Sequence, residues 1–507
     1  MSQAHVEDAS YDLERKRHFK AYTVFICIFM SFGSLGFGMA AAVIATLLGQ
    51  PTFVSAMQLD GPHAQSLEGC MNSLFYVGGI FGSFNHGWMA NRFGRKLSIT
   101  FGAVMLLVSQ ALLTGSVHPA MFIVFRFFSG WGGFQIVCGV PLWIGEIVPP
   151  KNRGMLSDIH AIFINTGYLI NGVSAIGYYY YQSPDAWRLS LGITMVPPTL
   201  LLCGIYWLPE SPRYLISTDR HEEAWSVIHR LHSDPRDPDD TFATREFLQI
   251  YKQIQLDKSL KGGYAEIFRR PSYRKRAIIN YGVTLYKGLG YTGVKSLAFS
   301  AGYIGQSWIT SVLAMTYVDR VKRNYLISAG FFMSMVSLIV YTGLIATYLE
   351  SDNRNAKAAA VSMLFLYISS FELFLDGPEF FYITEIWPSH LRAQGFALGM
   401  AVYSGINLCW LQAAPTAFAN IGWRFYILFI FFAALGGVLS FFYYPDTLHK
   451  PLEEIAAIFG DDDLVVLYQR DLVGQESQKL SLEAIIGDGS KDSGSDIPEI
   501  KEIVNKA

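Results

Sequence analysis

Charge is scarce in this chain: Asp, Glu, Lys and Arg make up 16% of 507 residues, against 51% hydrophobic residues. The mean hydropathy is positive. A soluble protein carries nearer a quarter charged residues, so a water-soluble globule is excluded. A net charge of −2 also offers nothing to a nucleic acid, and no nucleic-acid partner is expected. Cysteine is sparse too. Cys27, Cys70, Cys138, Cys203 and Cys409 fall mostly within apolar stretches without paired spacing, which implies neither a disulfide framework nor a metal site. There is no Asn-x-Ser/Thr acceptor for glycosylation and no glycine-rich nucleotide loop. Isolated Ser, His and Asp residues lie in different apolar stretches without nucleophile-elbow context. Neither enzymatic activity nor a cofactor is expected. The first residues are polar and acidic, and the first apolar run is too long for a signal-peptide core, so it is expected to be a span with the amino terminus inside.

What the chain has in quantity is long apolar runs. Segments of roughly 20 residues, enough to cross about 30 Å of hydrocarbon, occur near 20–47, 67–90, 97–117, 119–147, 157–181 and 187–208. After a polar stretch they resume near 297–318, 325–349, 357–386, 394–420 and 423–444. Loop charges orient them. Arg15, Lys16, Arg17 and Lys20, then Arg92, Arg95 and Lys96, then Lys151 and Arg153 all fall on one side by alternation, and the positive-inside rule makes that side cytoplasmic. The loop with Arg320, Lys322 and Arg323 and the segment with His390 and Arg392 belong there as well, which requires a further crossing between 277 and 296. Only Ala277 to Tyr286 is available between Arg276 and Lys287, and about ten residues at 1.5 Å each cover roughly half of the hydrocarbon. The seventh span is expected to be truncated.

A basic, glycine-kinked loop, Asn91-Arg92-Phe93-Gly94-Arg95-Lys96, returns in degraded form at Val318-Asp319-Arg320-Val321-Lys322-Arg323, which indicates internal duplication. Together with Arg126, Pro141 through Glu146, Pro149-Pro150-Lys151-Asn152-Arg153-Gly154, Pro209-Glu210-Ser211-Pro212-Arg213-Tyr214, and Glu385-Ile386-Trp387-Pro388 with Arg392, it resembles the sugar porter family of the major facilitator superfamily, in the style of fungal members. The resemblance runs from the first span to Pro445-Asp446-Thr447. It implies an all-α polytopic membrane protein of the major facilitator fold, two six-helix halves, nominally twelve transmembrane helices with the seventh truncated. The expected organisation is a cytoplasmic tail over 1–19, a first half over 20–208, a cytoplasmic linker over 209–276, a second half over 277–444 and a cytoplasmic, largely disordered tail over 445–507.

The function so implied is secondary transport of a sugar or sugar-like small molecule by alternating access, in the plasma membrane, with both termini cytoplasmic. The expected partners are the small-molecule substrate, protons and the lipid bilayer, and the expected assembly is a monomer. Arg92, Arg95, Glu146, Arg153, Glu210, Arg213, Asp319, Arg320, Glu385 and Arg392 would gate the inner face through charge-assisted bonds. Lys322 replaces the family's glycine, so a tight second loop is not expected. Where family members bind sugar, this chain has His160 beside Ala161, Gln306 or Ser307, Phe380, Asn407 and Gln412, while the polar clamp of helix seven is missing, as by a deletion of about fifteen residues. For the chain as given, lacking half of a cavity-lining helix, weak transport is expected.

Coupling is read from intramembrane charge. The family's proton-coupled members carry an Asp in span one opposite the Arg of span four. Here the string reads Gly36-Phe37-Gly38, and Arg126 either anchors packing or takes part in coupling with another carboxylate. Glu372, Asp376 and Glu379 stand at i, i+4 and i+7, one face of a regular helix, and ionisable groups in a membrane helix are functional candidates for proton or cation coupling. Two alternatives stay open: a carrier of another solute, such as an organic acid or secondary metabolite, and a non-transporting sensor or inert paralogue.

Overall fold

The computed structural model describes residues 20–461 apart from 182, 234–236, 238–239, 261, 271, 274–275, 277–293, 349–350 and 352, and beyond them residues 482, 485 and 486. The expected truncation of the seventh span lies outside the described residues. The first half consists of α1 (Ala21–Leu48), α2 (Ala64–Phe93), α3 (Arg95–Thr114), α4 (Pro119–Ile147), α5 (Arg153–Tyr180) and α6 (Ala186–Trp207). The longer helices of the linker follow: α7 (Pro212–Ser217), α8 (His221–His232) and α9 (Thr241–Ser259). The second half supplies α10 (Val294–Ala314), α11 (Arg323–Tyr348), α12 (Arg354–Glu385), α13 (Arg392–Ile421) and α14 (Phe425–Tyr443). Among the described residues, nine helices are long and apolar enough to cross a membrane.

Apolar side chains cover the outside of these helices: Phe81, Val108, Val336 and Phe431, among others, are exposed. Burial of oily surface from water therefore does not hold the bundle together. Close backbone approach does. A Cβ on Gly78 would run into the carbonyl of Phe127, and one on Gly130 into that of Phe75, so α2 and α4 pack backbone to backbone, as membrane helices do where lipid is as apolar as leucine. Gly94 has φ +97°, a conformation that only glycine adopts cheaply, and it turns the chain from α2 straight into α3. The second copy of this loop needs no such residue. It spreads over turns at 315–321, with Val318 N–H on Ala314 and Arg320 N–H on Tyr317, so Lys322 costs nothing there.

The halves meet where α2 packs on α13 and α5 on α10, with the second part of α12 against α4 and α5. The linker helices form their own small core of Leu215, Ile216, Ala224, Ile228 and Phe247 at one end of the bundle, here called the linker face. Among the described residues of the tail, several are packed against the rest of the protein. Leu452, Glu453, Ile455 and Ala456 are buried, and Leu482 and Ile485 pack into the linker core. Isolated apolar residues in an acidic stretch show no period of their own; the surface that covers them belongs to other helices.

Candidate functional site

The helix α12 is interrupted where its charges sit. Regular α-helix ends at Phe371, a π-helical turn spans Glu372–Asp376, and α-helix resumes over Gly377–Glu385. Pro378 lacks an N–H and its ring crowds the preceding turn, which favours the wider i→i+5 pattern; such bulges recur at functional positions. The wider turn changes which residues share a face. Glu372 and Asp376 line a cavity of about 310 Å³ between the halves, whereas Glu379 does not and sits buried near Tyr444. The expected single face of three carboxylates therefore holds for two.

Glu372 joins the halves. Its Oε1 accepts from Ser307 Oγ at 2.7 Å, and its Oε2 accepts from Ser311 Oγ at 2.7 Å and from Asn165 Nδ2 at 2.8 Å. The serines lie on α10 and Asn165 on α5, and the same Asn165 amide reaches Asp376 at 3.4 Å. The remaining wall carries Tyr76, Tyr168, Tyr303, Tyr367 and Tyr403 with Asn407, set among Phe37, Phe371 and Phe380. Polar groups converging beside aromatic rings in a hollow of this size characterise small-molecule sites.

Of the residues expected to contact substrate, Ser307, Phe380 and Asn407 line this cavity and His160, Gln306 and Gln412 do not. His160 lies one turn before Ile164, bonded to Ser34 Oγ at 2.6 Å and edge-on to Phe380, so it packs α5 on α1. Gln306 is the neighbour of Ser307 and turns toward Ser369. Gln412 is five positions past Asn407, a rotation of about 140° at 3.6 residues per turn, and its amide bonds Ser73. Arg126 is buried with Nη1 on the Ala40 carbonyl at 2.8 Å, Nε on that of Met71 at 3.3 Å, and its guanidinium over the ring of Phe75. Its partners are backbone and an aromatic ring, which fits an anchor between α1, α2 and α4.

At the linker face a buried ionic cluster crosses between the halves. Arg95 donates Nε and Nη2 to the two oxygens of Glu146, both at 2.8 Å, and the Ser211 hydroxyl bonds the same carboxylate. Arg213 donates Nη1 to the Glu146 carbonyl at 3.0 Å and sends Nε and Nη2 to Glu453 Oε1 at 2.9 and 2.6 Å. Burial works against charge on Arg213, yet Glu453 and Glu146 hold its guanidinium above the ordinary range. Arg153 pairs with Glu385 at 3.6 Å, and Thr447 bonds the other Glu385 oxygen at 2.6 Å. Asp319 accepts from the Gly154 and Met155 amides at 3.1 and 2.7 Å while pairing with Arg323 at 2.7 Å, so a carboxylate of the second half caps the start of α5 in the first.

Glu210 accepts from the amides of Lys96 and Ser211, and burial pushes its carboxyl up from the usual value against the Ser211 bond. Arg392 is buried within the field of Arg213, Glu146, Glu453 and Arg153. Arg92, in the last turn of α2, and Arg320, in the turns before α11, both expected in the gate, are exposed and outside this cluster; in each case the arginine three positions on, Arg95 or Arg323, takes the inward position.

The sequence reading missed Glu453 and the buried pair of His232 Nδ1 with Glu246 at 2.5 Å, whose other ring nitrogen, Nε2, bonds the Ile147 carbonyl at 2.8 Å. Nothing local signals these. It also missed Asn165 and Ser311, and there a signal existed: a polar residue inside an apolar span is a candidate by default.

A profile of the family described as "Sugar (and other) transporter" matches residues 26–459. The chain belongs to this family. The transporter is 28% identical over 448 residues to the MFS-type transporter criB of Aspergillus cristatus, covering 85% of this chain and 91% of that one. It is 27% identical over 479 residues to the high-affinity glucose transporter of Kluyveromyces lactis, covering 87% and 86%. It is 26% identical over 461 residues to the galactose-proton symporter of Escherichia coli, covering 86% and 94%. Its structure is similar to the proton:xylose symporter XylE bound to 6-bromo-6-deoxy-D-glucose, with a TM-score of 0.76 at 20% identity, covering 87% of the transporter and 100% of XylE. The fold of this sugar porter-family protein is the major facilitator fold, and it is an integral multi-pass membrane protein.

Proposed function

We propose that this transporter moves a sugar or similarly polyhydroxylated small molecule across the plasma membrane by alternating access, with the linker face and both termini in the cytoplasm. The observation that carries the reading is the cavity between the halves: Glu372, Asp376, Asn165, Asn407 and five tyrosines offer the dense mixture of acceptors and donors that neighbouring hydroxyls need, beside aromatic rings. The names of the relatives, a glucose transporter and a galactose-proton symporter, support a sugar. An organic acid suits this cavity poorly, because its carboxylate would meet two carboxylates of the protein. The ion pair Arg153–Glu385 joins the halves at the linker face, Arg213–Glu453 ties the linker to the tail beside it, and both favour a state closed on that side.

The test is binding and exchange by the purified chain in liposomes: labelled glucose, galactose and xylose against mono- and dicarboxylates as competitors. Saturable binding displaced by sugars supports the proposal. Displacement by carboxylates with no effect of sugars would sink it.

A further inference from the structure

Among the described residues, the carboxylate least provided for is Asp158, on α5. It is 2% exposed, and neither oxygen has a hydrogen-bond partner among the described residues. An uncompensated carboxylate in such a place is costly, unless it exists to exchange something. The groups that face it are Asp376 from α12, Asp319 and Tyr317 from the α10–α11 turn, and Arg323 from α11. The one cation among them is already engaged, since Arg323 bonds Asp319 and the Val318 carbonyl and lies over the ring of Phe381. Tyr317 donates its hydroxyl to the Leu373 carbonyl. Asp158 reaches this position by packing on bare backbone: a Cβ on Gly377 would overlap its Oδ1.

These positions form a file of acidic groups. Glu372 and Asp376 border the cavity, Asp158 lies behind Asp376, and Asp319, with a side chain 14% exposed, holds the start of α5 at the linker face. We infer that Asp158 is a proton-binding site of the transport cycle, loaded from the cavity past Asp376 and emptied toward the linker face past Asp319. Loading forms an O–H bond on one carboxylate oxygen of Asp158 and neutralises the buried charge. Release returns that proton to a water or to Asp319, and nothing is oxidised or reduced. The access of Asp158 is tied to the gate. Opening the linker face separates Asp319 from the amides of Gly154 and Met155, three to four residues before Asp158 on the same helix, and wets the site from that side only. A site reached from alternate sides in the two states is the requirement for coupling an ion to a solute.

The inference rests on the carrier reading, and two measurements separate their failures. Purified 507-residue protein and its Asp158→Asn variant are reconstituted in liposomes with a pH dye outside, and sugar counterflow and sugar-driven proton uptake are recorded. The expected result is that wild type shows both, while D158N keeps counterflow and loses proton uptake. Proton uptake retained by D158N, or counterflow without proton movement in wild type, overturns the inference. The second measurement is the infrared carboxylic-acid C=O band of the detergent-solubilised proteins at neutral pH, which needs no transport. A band present in wild type and lost in D158N supports the proton site even where no sugar exchanges, in which case only the carrier reading has failed; no difference overturns the site. Asp158→Ser carries both tests if D158N is not recovered as folded protein.

Discussion

Replacing Glu453 by glutamine keeps the shape of the side chain and one acceptor oxygen but removes the charge that joins the tail to Arg213. Both partners are buried, at 6% and 4% exposure, and two bonds converge on Glu453 Oε1 at 2.9 and 2.6 Å. With glutamine the Arg213 guanidinium still donates but the opposite charge is gone, so each bond falls from the upper toward the lower end of the roughly 1.5–3 kcal/mol of bonds to charged groups, and two bonds lose together about 2 kcal/mol. The loss stays below the 3–5 kcal/mol of a fully orphaned buried charge, because Glu146 remains beside Arg213 and its carbonyl still accepts Nη1. At 1.36 kcal/mol per decade, about 2 kcal/mol shifts the closed-to-open ratio at the linker face roughly thirtyfold. Amide hydrogen exchange over Pro212–Ser217 and Ile455–Ile458 reads this ratio, and both segments should exchange faster in E453Q. In the Arg213→Ala background the same substitution should have much less effect, as in a double-mutant cycle. Equal acceleration with and without Arg213 would refute the pairing as the origin of closure, and unchanged exchange in E453Q would refute its magnitude.

Glu372→Gln presents an NH₂ to Ser307, Ser311 and Asn165, of which the Asn165 amide is itself a donor, so sugar binding should weaken by about 1–3 kcal/mol; unchanged affinity by calorimetry contradicts the hub role. Gly94→Ala forces a side chain into a positive-φ turn and against Glu210, which should lower stability by about 1–2 kcal/mol and reduce the thermal midpoint in detergent. Burial alone would raise the Glu246 carboxyl, but His232, at 2.5 Å, holds it below the ordinary glutamate value. A lowered folded value means that the contribution is complete above the unfolded pKa and lost only as pH falls through the folded one. Linker docking, followed by Trp225 fluorescence, should therefore persist through mildly acidic pH and release below the usual glutamate range, and E246Q should abolish that step. Inserting a helical segment of about fifteen residues after Ile279 should speed sugar exchange, since the apolar residues between Arg276 and Lys287 are too few in the sequence for a full span of roughly 20; an unchanged rate would show that a full seventh span is not limiting.

Composition and the order of apolar runs determined by themselves that this chain is a polytopic helical membrane protein in two related halves, because crossing a bilayer imposes a length and a hydropathy that are local properties of each segment. The helix ends followed within a few residues, and the loop motif around Gly94 located both the turn and Arg95, which the structure buries against Glu146. The cavity was legible in part. Glu372 and Asp376 stood out as charges in an apolar span, but their face was drawn with 3.6 residues per turn, and only the π-helical turn before Pro378 decided that Glu379 points elsewhere. Arg92 and Arg95 are alike in sequence and opposite in burial, since which of two neighbouring cations turns inward depends on where Glu146, from another helix, stands. Glu453, the His232–Glu246 pair, Asn165 on Glu372 and Asp158 on the backbone of Gly377 were decided by tertiary structure alone. Each is a contact between segments far apart in the chain, and a polar side chain acquires a partner, or is left without one, only when helices distant in sequence are packed together.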